Sequence, residues 1–556
     1  MRFSTGLSFA AILGLFLAAC HSGDGTGAGG SGGSGGSGPP PPVCTAGCPA
    51  GYTCEDGVCT GGNAQAIDFD IKTFPVSGKL RVDGAVPQGN GCAYDQVRLD
   101  FKGGPEPEHI WDSPLGSSVS FSIPCTTGDG SFSGRLPAGT YRVIASRPST
   151  EASFPDGYFV VDPAFTVSGP AEGLQWDLGT VPISGKITVA GAAPKGNGCA
   201  YDQVRLDLVD DAGASFSATV PCTTADGSFT ARVAPGTYRV IASRPSSEAS
   251  FPDGYFVVDP AFTVSGPKSG IKWDVTTVPV SGKITVAGVA PKGNGCAYDQ
   301  VRIDFVDTRG ASFSATVPCT TGDGSFTGHI APGTYRVVAS RPSSEASFPD
   351  GYFVLDPSFT VSGAKSGIKW DVTTVPISGK ITVEGQSPKG NGCAYDQVRI
   401  DFVNDSGASF SASVPCTTGD GSFTGHVAPG TYRVIASRPS SEASFPDGYF
   451  VLDPSFTVSG AKSGVAWNVT TIPVAGHIRV DGQPPQGNGC AYDQVRIDLL
   501  APAGGSFSAT VPCTTADGAF TGRAAPGIYR FLASGPSSES SFPDGYYNLQ
   551  DAIKVP

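Results

Sequence analysis

The sequence predicts an all-β protein with five tandem β-sandwich domains arranged in a rod. Two observations lead to this prediction. The string Gly-Asn-Gly-Cys-Ala-Tyr-Asp-Gln-Val-Arg occurs five times, and apolar residues alternate with polar ones over short runs between turn-forming residues. Alternation with a period of two indicates half-buried strands, and a fixed spacing indicates tandem repeats. Ahead of the repeats the sequence predicts a signal peptide, a disordered Gly/Ser/Pro linker and a small disulfide-rich module.

The N-terminal stretch, residues 1–19, has the parts of a secretory signal peptide. Arg2 supplies a positive charge, an apolar run covers Leu7 to Leu17, and two alanines precede Cys20. The ending Leu-Ala-Ala-Cys resembles the lipobox of bacterial lipoproteins, which implies cleavage before Cys20 and a lipid on its thiol. An ordinary signal peptide followed by a chance cysteine is the alternative. The absence of Asp after Cys20 favours the outer membrane, with the protein facing the cell surface or the periplasm.

Two short segments follow the expected cleavage site. Residues 20–42 are rich in Gly, Ser and Pro, so they cannot bury a core and are expected to form a flexible tether. Residues 43–62 contain Cys44, Cys48, Cys54 and Cys59. Their spacing resembles the short cysteine-rich segments that follow the tether in many bacterial lipoproteins. We expect disulfides here, with the pairing left open, and a four-thiolate zinc site is the alternative.

The repeated string places a cysteine at Cys92, Cys199, Cys296, Cys393 and Cys490. The second copy follows the first after 107 residues and each later step is 97, so the first copy is ten residues longer. Within the second copy, Lys186 to Val189 and Val204 to Leu208 alternate, and turn-forming clusters separate such runs. Seven or eight short strands in a repeat of roughly 97 residues are typical of a β-sandwich.

The strand-like run Gly270 to Val275 determines where we expect a repeat to begin. A cognate run, Ile67 to Ile71, precedes the first copy, and none follows the fifth copy before Pro556. We therefore expect this strand to open each domain. The predicted domains are repeat one at 66–172, repeat two at 173–269, repeat three at 270–366, repeat four at 367–463 and repeat five at 464–556.

Each repeat holds a second cysteine, and a hairpin explains the pair. The midpoint of Cys199 and Cys222 is 210.5, inside a turn-forming Asp-Asp-Ala-Gly cluster, so a hairpin would place the two cysteines opposite each other at its open end. The ten additional residues of repeat one fall between its two cysteines and would lengthen the tip of the same hairpin. Export implies an oxidising compartment. The predicted disulfides are Cys92–Cys125, Cys199–Cys222, Cys296–Cys319, Cys393–Cys416 and Cys490–Cys513.

One part of each repeat carries a family resemblance. Asp226 to Phe229, followed by Gly236 to Val240, resembles the signature of carboxypeptidase regulatory-like (prealbumin-like) domains, and Ile183 to Ile187 fits the first strand of that family. The resemblance implies an Ig-like β-sandwich. It also implies an accessory role, because family members are mostly non-catalytic modules of secreted and surface proteins. The paired cysteines and the Ser/Pro-rich stretch Arg244 to Asp259 depart from the usual family pattern.

No catalytic constellation is found in the sequence. The histidines are His21, His109, His329, His426 and His477. The second repeat has none, which excludes a histidine site shared by all repeats. A nucleophile elbow, a phosphate loop and a helical metal motif are also missing. We expect no enzyme activity, no cofactor and no metal, and the net charge of −13 argues against nucleic acid as a partner.

Two bonding alternatives involve charged residues of the repeats. Carboxylates such as Asp226 and Asp253 could ligate calcium, although a turn before the following Gly explains both. Lys186 is a candidate donor for an isopeptide bond, but the fifth repeat has His477 at that place, so such a bond cannot be general.

Three aromatic residues are the candidate ligand contacts. Phe251 and Tyr255 lie in the longest strand-poor stretch of the repeat, and Trp111 lies in the insertion of the first repeat. Phe251 and Tyr255 could stack on a sugar, and the alternative is that both rings plug the end of the sandwich. The expected function is a non-catalytic stalk, anchored to the membrane through covalent lipid, that serves adhesion or envelope structure and meets a glycan or a surface protein. The alternative is a carbohydrate- or peptidoglycan-binding protein that uses the aromatic loop of each repeat.

Overall fold

The structure is a computed structural model that describes residues 53–55, 58–60, 67–87, 97–104, 117–123, 128–146, 154, 157–194, 204–211, 213–220, 226–243, 254–291, 301–317, 322–340, 348, 351–388, 398–414, 419–437, 448–485, 495–502, 504–511, 517–535 and 545–555. The elements of these residues are all β-strands, which confirms the all-β prediction. No helix in this part of the chain is long and apolar enough to cross a membrane. The signal peptide, Cys20, the linker, Cys44, Cys48, the ten repeat cysteines, Trp111 and Phe251 lie outside the described residues.

The strands follow the same order in each repeat. Ahead of the repeats are β1 (Thr53–Glu55), β2 (Val58–Thr60) and β3 (Ile67–Ile71). Repeat one contains β4 (Thr73–Val82), β5 (Val97–Gly103), β6 (Ser118–Ile123), β7 (Ser131–Pro137), β8 (Gly139–Ser146), β9 (Gly157–Val167) and β10 (Ala171–Leu178). Repeat two contains β11 (Val181–Val189), β12 (Val204–Val209), β13 (Ser215–Val220), β14 (Ser228–Val233), β15 (Gly236–Ser243), β16 (Tyr255–Val264) and β17 (Lys268–Val275).

The later repeats continue this order. Repeat three contains β18 (Val278–Val286), β19 (Val301–Val306), β20 (Ser312–Val317), β21 (Ser325–Ile330), β22 (Gly333–Ser340), β23 (Gly351–Val361) and β24 (Lys365–Val372). Repeat four contains β25 (Val375–Val383), β26 (Val398–Val403), β27 (Ser409–Val414), β28 (Ser422–Val427), β29 (Gly430–Ser437), β30 (Gly448–Val458) and β31 (Lys462–Val469). Repeat five contains β32 (Ile472–Val480), β33 (Val495–Leu500), β34 (Ser506–Val511), β35 (Ala519–Ala524), β36 (Gly527–Gly535) and β37 (Gly545–Val555).

The second repeat shows how the strands form two layers. β12 pairs with β13 and β15, and β15 pairs with β16, all antiparallel, so a four-stranded sheet forms. β11 pairs antiparallel with β14 and parallel with β17 to form a three-stranded sheet. Alternation decides which side chains face the core: Leu206 and Leu208 of β12 are buried, whereas Arg205 points to solvent. Seven strands in two sheets give the repeat the arrangement of a β-sandwich.

A tyrosine corner fixes the connection between the two layers. The Tyr238 hydroxyl donates a hydrogen bond to the Ala234 carbonyl oxygen, four residues upstream, at 2.7 Å. The corresponding bond of Tyr432 to the Ala428 carbonyl is 2.8 Å, and burial raises the pKa of Tyr432 to about 12. Because the ring is buried and its hydroxyl is bonded, this residue anchors the core rather than a ligand site.

The strand that contains the tryptophan closes the preceding repeat and does not open the next one, contrary to the sequence prediction. β17 pairs in parallel with β11, which places Trp273 opposite Ile187. Trp273 also stacks on Phe229 of the same repeat, with ring centroids 5.1 Å apart. The same parallel pairing joins β10 to β4, β24 to β18 and β31 to β25. The predicted repeat starts at 173, 270, 367 and 464 therefore move to the C-terminal side of this strand.

The described residues fall into two compact units. One unit contains repeats one to four, and the other contains repeat five together with the strands that precede repeat one. Repeat five has six strands of its own, and β3 supplies the seventh by pairing in parallel with β32. Ile67 to Ile71 were predicted to belong to repeat one, and the pairing with β32 corrects this prediction.

The hairpin predicted between the paired cysteines is present. β12 and β13 pair with Val204 opposite Val220 and Val209 opposite Ser215, so the hairpin is centred on position 212, near the predicted midpoint. In repeat one the ten-residue insertion lies in the connection between β5 and β6, where the sequence places it. The disulfides themselves involve cysteines outside the described residues and stay predictions.

Candidate functional site

A tyrosine faces outward at the same place in each repeat. Tyr255 begins β16 and is half-buried, and its counterparts are between 39% and 54% exposed: Tyr158, Tyr352, Tyr449 and Tyr546. The exposure follows from strand alternation, because the next residue, Phe256, is buried in the core. Of the three predicted ligand contacts, Tyr255 is therefore placed where its ring can meet a partner.

In the two repeats where the structure describes it, the phenylalanine four residues before this tyrosine packs inward. Phe251 itself lies outside the described residues, but its counterparts Phe154 and Phe348 are each 1% exposed. Phe154 meets Phe159 edge to face at a centroid distance of 5.4 Å, and Phe348 meets Phe353 in the same way at 5.4 Å. In these two repeats the phenylalanine plugs the end of the sandwich, which was the alternative to a ligand contact.

A polar cluster lies on the large sheet that also carries the tyrosine. In repeat two, Arg205 Nε and Ser217 Oγ both donate to Asp207 Oδ1, at 2.7 and 2.6 Å. The Arg–Asp and Ser–Asp bonds recur in the other repeats, in Arg98–Asp100–Ser120, Arg302–Asp304–Ser314, Arg399–Asp401–Ser411 and Arg496–Asp498–Ser508. The cluster pairs one positive with one negative charge, so it offers hydrogen bonds without net charge. The cluster is not evident from the sequence, because its serine comes from a neighbouring strand.

In repeat one the tyrosine and the cluster border one open groove of about 330 Å³. Tyr158 is the cross-strand partner of Ser146, and Ser146 is the partner of Arg98. Lys102 and Ser118 complete the lining together with Asp100. The later repeats have an apolar residue in place of Lys102: Val209, Val306, Val403 and Leu500. An aromatic wall beside hydrogen-bonding groups suits a small polar ligand with a ring.

The tyrosine also stands at the joint with the next repeat. β9 pairs with β13, with Tyr158 opposite Ser215 and Gly157 opposite Phe216. Gly157 has a φ of 140°, and a Cβ there would lie 2.4 Å from the Ser215 carbonyl oxygen, so only glycine allows this approach. The same bridge joins Tyr255 to Ser312 and Tyr352 to Ser409. The tyrosine of repeats one to three is therefore held at a fixed place beside the following repeat.

Aromatic rings bury the interior of the same joints. Phe159 of repeat one meets Phe216 of repeat two with ring centroids 4.5 Å apart. The corresponding pairs, Phe256–Phe313 and Phe353–Phe410, have centroid distances of 4.7 Å. These edge-to-face contacts stabilise the joints in addition to the backbone bridges.

Of the groups considered for calcium or for an isopeptide bond, Lys186 and Asp226 are paired with each other, and Asp253 lies outside the described residues. Lys186 Nζ donates to Asp226 Oδ2 at 2.7 Å, and the Ser228 backbone N–H donates to Asp226 Oδ1 at 3.0 Å. The hydrogen bond from Lys186 and those from Ser228 hold the pKa of Asp226 well below 3.8. Within the described ranges, no group of three or more His, Cys, Asp or Glu residues is placed to hold a metal ion.

A second groove, of about 520 Å³, follows the small sheet of repeat two. Its two charged lining residues are already engaged: Arg232 bonds to Asp83, and the Lys268 ammonium lies 4.8 Å from the centre of the Phe262 ring. The remaining lining contains Pro, Ser, Thr, Ala and Ile. This lining contains no His, Cys, Asp or Glu, so the groove is not the candidate site.

A carboxylate that the sequence analysis did not single out braces the joint of repeats one and two. Asp83 accepts hydrogen bonds from the Thr180 N–H, the Thr180 hydroxyl and Arg232 Nη2, each at 2.7 Å. Burial raises the pKa of Asp83, but the bonds from Thr180 and Arg232 outweigh burial and bring it below 3.8. Thr180 lies 97 residues away, so no local motif could have identified this contact.

No protein-family model matches the chain. No curated protein matches it either. Among solved structures, the chain is similar to a tetra-tandem repeat from the extending region of a large adhesion protein, at 16% identity over 67% of this chain and 99% of that one, with a TM-score of 0.10. It is similar to a candidate cell adhesion protein from Bacteroides fragilis, at 14% identity over 35% and 93%, with a TM-score of 0.14. It is also similar to the major pilin subunit of Bacillus cereus, at 10% identity over 52% and 99%, with a TM-score of 0.12. Scores this low carry no argument about this chain, and the prealbumin-like resemblance stays a prediction.

Proposed function

We propose that this chain is a non-catalytic cell-surface lipoprotein, a tethered series of β-sandwich repeats that serves in adhesion or envelope structure. The observation that carries the proposal is the recurrence of one outward-facing tyrosine on the same sheet as one neutral Arg–Asp–Ser cluster in each of five repeats. Repetition of a weak site on one tether raises the overall affinity for a repeated target, because the second and later contacts become intramolecular.

The N-terminal sequence supports display at a membrane. A lipidated Cys20 would hold the chain, and residues 21–42 would separate the repeats from the bilayer. Some 20 residues of flexible coil span about 25 Å, which is enough to lift a domain clear of lipid headgroups. The proposed location is the outer membrane, facing the cell surface or the periplasm.

A carbohydrate or peptidoglycan ligand is the specific form of this function that the tyrosine favours. The face of a phenol ring can pack against the apolar face of a sugar, while arginine, aspartate and serine hydrogen-bond to its hydroxyl groups. Because the Arg and Asp charges are already paired, a neutral sugar would leave no unpaired charge behind when water is displaced. In repeat one, Trp111 would add a second aromatic contact from the insertion.

A set of tyrosine substitutions in the full chain tests the glycan candidate. One variant carries Tyr→Ala at all five sites and its matched control carries Tyr→Phe, which keeps the ring: Tyr158, Tyr255, Tyr352, Tyr449 and Tyr546. Pull-downs on cell-wall and outer-surface fractions, followed by a glycan array, measure binding. We expect the alanine variant to lose binding and the phenylalanine variant to retain it, with both melting as the unsubstituted chain does. Equal binding by the alanine variant would reject the tyrosine site, and failure of the unsubstituted chain to bind any fraction would leave envelope structure as the function.

A further inference from the structure

We propose that repeat five carries an acceptor groove for strand β3 of a second copy of this chain, so that copies join head to tail. The donor strand is β3, Ile67–Ile71. The acceptor groove is the edge of β32 together with Phe531. The proposal goes beyond the proposed function and does not depend on what the outward-facing tyrosines bind.

The donor strand docks as the closing strands of the other repeats do. It pairs in parallel with β32, and the side chains of Ile67, Phe69 and Ile71 are all buried. The Gly482 N–H donates to Asp70 Oδ1 at 2.9 Å, as the Gly191 N–H does to Asp274 in repeat two at 2.9 Å. Repeat five is therefore complete only when a strand of this kind occupies its edge.

A glycine makes room for the donor strand. A Cβ at Gly476 would lie 1.9 Å from the Ile67 carbonyl oxygen and 2.9 Å from the Ile67 nitrogen. Both atoms belong to the backbone, so neither can move aside without displacing the strand. Any side chain at Gly476 would close the acceptor groove, and this gives a direct way to test its use.

A hydrogen bond at the groove matches β3, and two of the internal closing strands carry a lysine at the same place. Where repeats one to four have Lys, repeat five has His477, whose Nδ1 lies 2.9 Å from Asp68 Oδ1. The internal closing strands of repeats two and three instead set Lys272 opposite Lys186 and Lys369 opposite Lys283. Two lysines opposite each other repel, whereas Asp68 is hydrogen-bonded to His477, so β3 brings repeat five a bonding partner that the lysine-bearing strands lack.

Two core residues at the groove also differ between repeat five and the other repeats. Phe531 stands where repeats one to four have Val143, Val240, Val337 and Val434. The donor strand has Phe69 where the internal strands have Trp, and the two phenylalanine rings meet at 5.6 Å. A larger residue in the groove and a smaller one on the strand conserve the packed volume, as a matched pair requires.

A third residue difference in repeat five lies next to the segment that precedes the donor strand. Gln550 occupies the position of Asp162, Asp259, Asp356 and Asp453, and its amide donates to Cys59 Sγ at 3.3 Å. Cys59 is buried, disulfide-bonded and paired with Ile553 of β37. Three residues particular to repeat five, His477, Phe531 and Gln550, thus contact the N-terminal segment.

The connection after the donor strand has the same length as the connection between repeats one and two, so an intermolecular joint could have the same form. Ile71 is followed by Lys72 and then Thr73, as Leu178 is followed by Gly179 and then Thr180. A donor strand seated in another copy would therefore lead into its own repeat one, just as β10 of repeat one leads into repeat two. The chain keeps the bonded residue types for such a joint: Asp481, Thr73 and Arg135 correspond to Asp83, Thr180 and Arg232.

In a single chain β3 occupies the groove of its own repeat five, and at high surface density exchange would link neighbouring copies. Two variants of the full chain disable the donor strand and the acceptor groove one at a time. Phe69→Asp destroys the donor and keeps the acceptor, and Gly476→Val destroys the acceptor and keeps the donor. The matched control for the donor is Phe69→Leu, in which an apolar side chain still fills the place of the phenylalanine ring. The matched control for the acceptor is Gly460→Val, at a position where a Cβ meets no atom within 4 Å. Masses are measured by light scattering after size-exclusion chromatography, and circular dichroism checks that each variant is folded.

The expected result is specific. The unsubstituted chain and both controls should rise in mass with concentration, and each disabled variant alone should stay monomeric. An equimolar mixture of the two disabled variants should double in mass, because one working donor meets one working acceptor. A mixture that stays monomeric, or an unsubstituted chain of constant mass at all concentrations, would show that β3 serves only its own repeat and would overturn the proposal.

Discussion

At the scale of single residues, glycines decide how closely the strands of a repeat approach. A Cβ at Gly185, Gly282 or Gly379 would lie between 2.1 and 2.4 Å from a carbonyl oxygen of the closing strand. The obstacle is backbone in each case, so the strand and not a side chain would have to move. These glycines are therefore part of the fold rather than flexible points in it.

The substitution Gly282→Ala tests this role. The new methyl group would press on the Ile368 carbonyl at 2.4 Å, and overpacking of this kind typically costs about 1–3 kcal/mol. We expect a lower melting temperature and faster hydrogen exchange in β18 and β24. Gly266→Ala is the control, because nothing lies within 4 Å of that position, and it should leave both measurements unchanged. Equal effects of the two substitutions would contradict the steric explanation.

The Asp83 carboxylate makes the joint of repeats one and two sensitive to acid. Its pKa is lowered in the folded chain, so its contribution to stability is present above the unfolded pKa near 3.8 and is lost as pH falls through the folded value. In Asp83→Asn this contribution is absent at every pH. We therefore expect the variant to be less stable at pH 7 and the difference from the unsubstituted chain to shrink as the pH falls below 3.8. A difference that stays constant down to the lowest pH would rule out the carboxylate as its source.

At the scale of strands, the sequence predicted which segments are extended but not which strands they join. Alternation located β12 and the hairpin turn after it, because both depend on residues close together in the chain. The partner of the tryptophan strand depends on contacts such as Trp273 with Phe229, which periodicity does not encode. Counting strands from the ends of the chain then failed, because Ile67 to Ile71 completes repeat five and not repeat one.

The candidate site was predictable to the same extent. The outward position of Tyr255 follows from alternation against Phe256. The neutral cluster could not be foreseen, since Ser217 reaches Asp207 from the neighbouring strand. The inward position of Phe154 and Phe348 also depends on ring contacts made only in the folded repeat.

The corrected boundary gives a prediction for an isolated repeat. A fragment from Thr277 to Val372 contains repeat three with its closing strand, and a fragment from 270 to 366 lacks most of it. The second fragment loses Trp370, which stacks on Phe326 at 5.4 Å, and the loss of a core aromatic typically costs about 3–5 kcal/mol. A single domain has only about 5–15 kcal/mol of stability, and the bare β18 edge invites aggregation. We expect cooperative melting of the first fragment only; equal melting temperatures would return the boundary to the sequence prediction.

At the scale of the whole molecule, the N-terminal region has two separate tasks. Residues 53–71 contribute strands to the unit that contains repeat five. The residues before them are expected to carry the lipid and the tether. A lesion at the lipid site should therefore change where the protein is found without changing how its repeats fold.

Cys20→Ala tests this separation. Removal of the thiol removes the site for the thioether lipid, and a chain without two or more acyl groups has no stable hold on a bilayer. We expect the variant to appear in the soluble fraction after a salt wash, while the unsubstituted chain and a Ser22→Ala control sediment with membranes. Its melting curve should match that of the detergent-extracted control, because β3 and the repeats begin well after the lipid site. If Cys20→Ala still sediments with membranes, the anchor must lie elsewhere and the lipoprotein proposal fails.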